Sequence, residues 1–328
     1  MPLINTSGVN TDRGYGLFAS TNGCDGTKGI FALGRTISGR VTTRNKYTYA
    51  CCTSTACGVG VASAASANGS AAGNSTRGIF ALGCNGYYST IRNKYTYSSC
   101  TSTACGVASA SAASYFGSAT GNSTRGIFAL GCVLVYCSTT RNKYTYSSCT
   151  STASGVGVAS AVSSRGSATG NSTRGIFALG YVCDTPSTTR NKYTYACCTS
   201  TASGVGSASA ISSNGSAAGN STRGIFALGN SSGLKSTRNK YTYACCTSTA
   251  CGVGVASAAS SQGSATGNST RGIFALGYAV GSCYSQSAST TRNKYTYSSC
   301  TSTASGVGVA SAASCSGSAA SWATCVNT

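Results

Sequence analysis

The hexapeptide Gly-Ile-Phe-Ala-Leu-Gly occurs six times in this 328-residue chain, starting at Gly29, Gly78, Gly126, Gly175, Gly224 and Gly272. The steps between starts are 49, 48, 49, 49 and 48 residues. A second hexapeptide, Arg-Asn-Lys-Tyr-Thr-Tyr, follows each copy, at Arg44, Arg92, Arg141, Arg190, Arg238 and Arg292. Such a period means that one supersecondary unit is built repeatedly, each copy burying its apolar surface against the next. With 43 Gly, 2 Pro and no His, the chain suits short strands and tight turns rather than helices. The Gly, Ser, Thr and Ala between the motifs resemble low-complexity disorder. Ile-Phe-Ala-Leu and Tyr-Thr-Tyr nevertheless recur in fixed register and supply a core.

Residues 67–114 show one unit. The small-residue run 68–73 reads as a first strand for a crowded place, and Asn74-Ser75-Thr76 as a turn. The apolar run from Arg77 to Gly83, bounded by Gly, reads as a second strand buried on both faces. In the third, Arg92, Lys94 and Thr96 alternate with Asn93, Tyr95 and Tyr97. After the turn Ser-Ser-Cys-Thr-Ser, the stretch 103–109 supplies a fourth. Four antiparallel strands in roughly 50 residues make one propeller blade. The expected fold is therefore all-β, a six-bladed β-propeller of four-stranded antiparallel blades. The expected division is an N-terminal segment (1–11), the propeller (12–316) and a C-terminal strand or tail (317–328). Residues 12–20 read as a divergent first strand. Residues 317–322 resemble another, which would pair with the N-terminal region or lie as a tail; a seven-fold ring completed by the termini is the alternative.

This arrangement resembles the kelch repeat, in which a hydrophobic strand ending in glycine precedes a Tyr-rich strand. It is more similar still to degenerate kelch-like arrays of bacteriophages and cyanobacteria, in which STRGIFALG and KYTY elements recur. Only one Gly ends each apolar strand here, and the sole Trp is Trp322. The resemblance implies a propeller and assigns no activity.

The net charge is +20, from 23 basic and 3 acidic residues. Eighteen of the basic residues belong to the repeat. Three acids cannot pair with them, so the cations would face water, stack on tyrosine, or meet an anionic partner. The expected anion-binding set is Arg44, Lys46, Arg92, Lys94, Arg141, Lys143, Arg190, Lys192, Arg238, Lys240, Arg292 and Lys294.

The copies differ in two places: the loop between the second and third strands, and the residue pair before each first strand, such as Ala67-Asn68 and Tyr115-Phe116. In an up-and-down sheet both emerge at the same end, while the nearly constant turns lie at the other. Variation on one side of a fixed scaffold reads as a recognition surface, or as loops free to drift. Tyr87, Tyr88, Tyr115, Phe116, Tyr136, Tyr181, Tyr278 and Tyr284 would present rings there, suited to sugar stacking or protein docking.

A cysteine recurs near the last turn of each repeat, at Cys52, Cys100, Cys149, Cys198, Cys246 and Cys300. These read as small buried side chains, or as disulfide partners of Cys57-type residues five positions on. No CxxC pair marks a metal site, and no cofactor is expected. Without His or Glu, general acid–base and nucleophilic catalysis lack their usual carriers, so no enzyme is expected. No signal-peptide or membrane-spanning run is evident, which suggests cytosolic synthesis followed by residence in a virion or extracellular assembly. The expected partners are a cell-surface polysaccharide, other virion or fibre proteins or, on charge alone, a nucleic acid.

Overall fold

The computed structural model describes residues 28–321, except 33, 37, 57, 85–86, 134–135, 183–184, 231–232, 251 and 279–287. Over these residues the protein is all-β, with no helix and six four-stranded antiparallel sheets. The second sheet is typical. It runs in order through Ser70–Gly73, Arg77–Ala81, Arg92–Thr96 and Thr101–Thr103. In the first sheet the small-residue strand comes from the far end of the chain: Ser318–Ser321 pairs with Lys28–Ala32, setting Gly29 opposite Ser321 and Ala32 opposite Ser318. Of the two placements expected for this segment, it takes the one that pairs near the start of the chain rather than lying as a tail. Residues 12–20 and Trp322 lie outside the described residues.

The fourth strand also differs from expectation. It is Thr101–Thr103, in what reads from sequence as a turn, and Lys94 opposes Thr103. The turn is tighter, with Cys100 in the left-handed region at φ 55°. The Gly-Val stretch beyond the strand leaves its sheet and runs along the next one: Gly60 donates its N–H to the Cys100 carbonyl at 2.8 Å.

Alternation explains why each apolar strand is buried on both faces. Ile30 points to one side and packs with Phe80, Tyr95 and Tyr97 of the second sheet. Phe31 points to the other and packs with Ile273 and Val307 of the sixth. The hydrophobic clusters thus lie between sheets, each joining an isoleucine to the Phe and two Tyr of the following sheet. The glycine ending the apolar strand is required by geometry. Gly83 has φ +76°, and a Cβ there would stand 2.6 Å from the Ala67 carbonyl oxygen.

Arginine completes each junction. Arg44 is 1% exposed and lies over the Phe80 ring of the next sheet, 4.5 Å from its centroid. It donates to the Gly60 and Val61 carbonyls at 3.3 and 3.2 Å, to Asn93 Oδ1 at 3.2 Å, and to Ser102 Oγ. Asn93, itself fully buried, also accepts from the Ser63 N–H and donates to Ser63 Oγ. The guanidinium is held by neutral dipoles and a ring face, with no carboxylate. Its Nε has no partner. Burial lowers its pKa to about 10, which leaves it charged at neutral pH. The pattern recurs from Arg92 over Phe128 to Arg292 of the sixth sheet over Phe31 of the first.

Candidate functional site

The two variable segments emerge together at one end of the sheets, as antiparallel topology requires. Their loops join by short bridges: Ala67 pairs with Cys84, Tyr115 with Cys132, and Ser213 with Asn230. At their centre is a feature the sequence does not announce. Asn68, Phe116, Arg165, Asn214, Gln262 and Ser316 all adopt left-handed backbone, with φ between 54° and 59°. Each donates its N–H to the carbonyl of the equivalent residue one repeat earlier, at 2.8–2.9 Å. The circuit returns to its start, because Asn68 donates to Ser316 and Ser316 to Gln262. Six peptide groups therefore form a continuous collar, and the small-residue strands beyond it line a cavity of about 80 Å³.

Glycine adopts this conformation without the ~1–2 kcal/mol steric cost that other L-residues incur. The chain uses glycine freely elsewhere, yet none of these six positions has one. The other left-handed non-glycine set is Cys52, Cys100, Cys149, Cys198, Cys246 and Cys300, where the side chain never varies. There the thiol has structural neighbours: Cys149 Sγ lies 3.8 Å from the Tyr146 carbonyl and 3.7 Å from Arg77 Nη1. At the collar the backbone demand is the same and the side chains differ. Five of the six side chains are partly exposed, and Ser316 is buried with its hydroxyl donating to Gln262 Oε1 at 2.6 Å.

Around the collar a run of rings spans three repeats. Tyr88 and Tyr115 stack with centroids 4.5 Å apart and planes 9° from parallel. Tyr115 meets Phe116 at 4.6 Å. The Arg165 guanidinium lies 4.4 Å from the Phe116 ring and 5.2 Å from Tyr181. Burial, and then the neighbouring Tyr88 hydroxyl, raises the Tyr115 pKa above its ordinary value. All five side chains are partly exposed.

The remaining expected ring residues separate. Tyr87 (87% exposed) and Tyr136 (77% exposed) project freely beside this run. Tyr278 is 9% exposed and packs with Cys315 and Leu234, so it serves the loop and is not presented. Tyr284 lies outside the described residues. Arg165 is the member that ring counting misses; its signal is its place in the variable pair before Gly166.

The expected anion-binding set divides. Arg44, Arg92, Arg141, Arg190, Arg238 and Arg292 are each 1% exposed and occupied between sheets, so they are not open to an anion. A polar face on an isolated strand need not face water; here it faces the next sheet. Lys46, Lys94, Lys143, Lys192, Lys240 and Lys294 are half-buried and reach solvent.

The expected Cys52–Cys57 type of disulfide is not formed at Cys100 and Cys105, which are both free, and Cys52 and Cys246 are free as well. Cys132 and Cys137 are bonded instead, as register partners in a variable loop. No group of His, Cys, Asp or Glu among the described residues could hold a metal ion. No known family profile matches the chain, and no curated protein sequence matches it at a significant level.

Proposed function

We propose that this protein is a six-bladed β-propeller that binds carbohydrate through its variable side and performs no catalysis. Each sheet meets the next through the same arginine, ring and asparagine contacts. The sixth meets the first likewise, and Ser318–Ser321 completes the first sheet from the opposite end of the chain. These contacts support a ring of six units joined by a terminal strand. Three acidic residues and no histidine in the whole chain favour binding over acid–base chemistry.

The observation that carries the binding function is the ring-and-guanidinium run Tyr88, Tyr115, Phe116, Arg165 and Tyr181 around the strained collar. Aromatic faces beside a fixed cation and Ser or Asn hydrogen-bonding groups suit the apolar faces and hydroxyls of a sugar. An extended saccharide lying across the run would meet several of these rings at once. A cell-surface polysaccharide fits this description, and a phage virion or extracellular assembly is the setting in which such a domain would meet one.

The test transplants residues already used at the same backbone positions of the fifth repeat. A Tyr115→Ser, Phe116→Asn, Tyr181→Asn variant copies Ser213, Asn214 and Asn230 and should keep the fold. Binding to a panel of neutral galactan, mannan and glucan polysaccharides would be measured in 0.5 M salt, where charge is screened to a few ångströms. Saturable binding of the wild type to at least one polysaccharide, lost in the variant, supports the reading; no binding by the wild type, or unchanged binding by the variant, rejects it.

A further inference from the structure

The opposite end of the sheets, where the turns hardly vary, holds a second concave surface that the variable side does not explain. At the junction of the fifth and sixth sheets lies a cavity of about 340 Å³ lined by Asn220, Arg223, Thr270, Arg271, Lys294 and Thr296. Arg223, Arg271 and Lys294 bring three cationic residues to its lining, and no carboxylate lies among the described residues. Each arginine is anchored through one nitrogen on the sheet that follows its own. Arg223 Nη1 donates to the Tyr297 carbonyl at 2.8 Å and lies 3.7 Å from Cys300 Sγ, and Arg271 Nη1 donates to the Tyr49 carbonyl at 2.8 Å and lies 3.5 Å from Cys52 Sγ. This fixes the planar groups and leaves their remaining N–H donors uncommitted. Asn220 Nδ2 donates to the Ser269 carbonyl at 3.0 Å and holds the rim. Lys294 has no hydrogen-bond or ionic partner among the described residues.

Sequence places the same groups at three further consecutive junctions: Arg77, Arg125 and Lys143; Arg125, Arg174 and Lys192; Arg174, Arg223 and Lys240. The anchoring bonds recur there, from Arg77 to the Tyr146 carbonyl, Arg125 to Tyr195, and Arg174 to Tyr243. Lys28 replaces the arginine in the first sheet, so the run of arginine pairs covers four of the six junctions.

We propose that these four junctions are anion pockets for the sulfate or phosphate ester groups of a polysaccharide, engaged in series along the constant side. Preorganised N–H donors with no counter-ion among the described residues favour a tetrahedral oxyanion. A cavity of this size admits an esterified sugar unit. Hydroxyl and amide neighbours suit its remaining hydroxyls, and the one ring at the site, Tyr297, is buried, so a nucleobase finds no stacking platform. Repetition at adjacent junctions converts weak single contacts into avidity for a chain with regularly spaced charges.

The test measures binding to immobilised dextran sulfate, phosphomannan and uncharged dextran at 0.15 M salt, with duplex DNA as competitor. Two triple variants remove equal charge: Lys192→Ala, Lys240→Ala, Lys294→Ala on the constant side, and Arg35→Ala, Arg40→Ala, Lys235→Ala on the variable side. Melting curves check that both fold. The proposal expects binding to dextran sulfate, phosphomannan or both well beyond any binding to plain dextran, with the preferred polymer identifying the ester, and about a tenfold loss of that excess in the lysine variant alone. Equal losses in the two variants would reduce the effect to net charge and overturn it. Absent binding to both esters overturns it, as does displacement by DNA at lower charge concentration than dextran sulfate. Because the polysaccharide panel for the variable side is neutral and read at high salt, the two readings fail independently.

Discussion

Tyr49, Tyr195 and Tyr243 occupy equivalent positions and donate their buried hydroxyls to Thr266, Thr120 and Thr169, each at 3.3 Å. Tyr146 and Tyr297 stand at the same place in their repeats, and their hydroxyls are buried without a partner. The cause lies one sheet away: the neighbouring small-residue strand reads Ser-Ala-Thr-Gly in the first three cases and Ser-Ala-Ala-Gly, with Ala72 or Ala218, in the other two. Thr120 and Thr169 place their methyl groups against Gly175 and Gly224, while Ala72 and Ala218 face Gly126 and Gly272. The same glycine room therefore exists opposite both alanines. Leaving a buried hydroxyl unsatisfied costs ~1–3 kcal/mol, and a hydrogen bond contributes a net ~0.5–1.5 kcal/mol. Ala72→Thr and Ala218→Thr should each stabilise the protein by about 1 kcal/mol, and together by about 2 because the sites are in non-adjacent sheets. Thr169→Ala should cost about 1 kcal/mol by the reverse argument. Urea denaturation at pH 7 reads all four proteins, as shifts in midpoint at constant slope. If Ala218→Thr leaves the midpoint unchanged or lowers it, the hydroxyl is already satisfied from the cavity lined by the small-residue strands and the reasoning is wrong.

Three further outcomes follow from the same contacts. With no His and only three acidic residues in the chain, few groups change protonation between pH 7 and pH 2, so thermal denaturation should vary by less than about 1 kcal/mol over that range; an acid transition near pH 4 would contradict this. Above pH 10 stability should fall. Burial raises twelve tyrosine pKa values, so the unfolded chain releases those protons first. The six arginines that burial lowers to about 10 oppose this, because the unfolded chain holds those protons to higher pH, but they are outnumbered; a stability maximum above pH 10 would refute that balance. Arg141→Ala should destabilise by about 3 kcal/mol, since it empties the site over Phe177 and removes a donor from Asn191, and Arg141→Lys should recover less than half, as measured by denaturant midpoint.

The repeat period and the Ile-Phe alternation are enough to establish short strands buried on both faces, because no other backbone gives side chains at successive positions opposite burial. The glycine of Gly83 type is legible for the same reason, since only a left-handed turn explains a fixed Gly after each apolar strand. What single-strand reasoning misses is what each face meets. Arg92 alternates with Asn93 and Tyr95 as a solvent-facing residue would, and only the packing of one sheet on the next shows it under a phenylalanine. Thr101–Thr103 carries turn-like residues, and its strand character comes from pairing with Lys94, Tyr95 and Thr96. The pairing of Ser318–Ser321 with Lys28–Ala32 spans nearly the whole chain, so no local pattern fixes it. At the candidate site, the variable side follows from comparing copies, whereas the collar depends on six dihedral angles that no residue preference predicts: Phe, Arg and Gln do not favour left-handed backbone.

The central claim is that the rings around the collar touch sugar. Saturation-transfer NMR tests it directly: the aromatic protons of the protein are irradiated in the presence of a neutral oligosaccharide from whichever polysaccharide binds, and transfer to the sugar protons is recorded. The account predicts strong transfer in the wild type and its loss when Tyr115→Ser, Phe116→Asn and Tyr181→Asn are introduced together. Transfer of equal strength in both proteins would place the ligand elsewhere and contradict it.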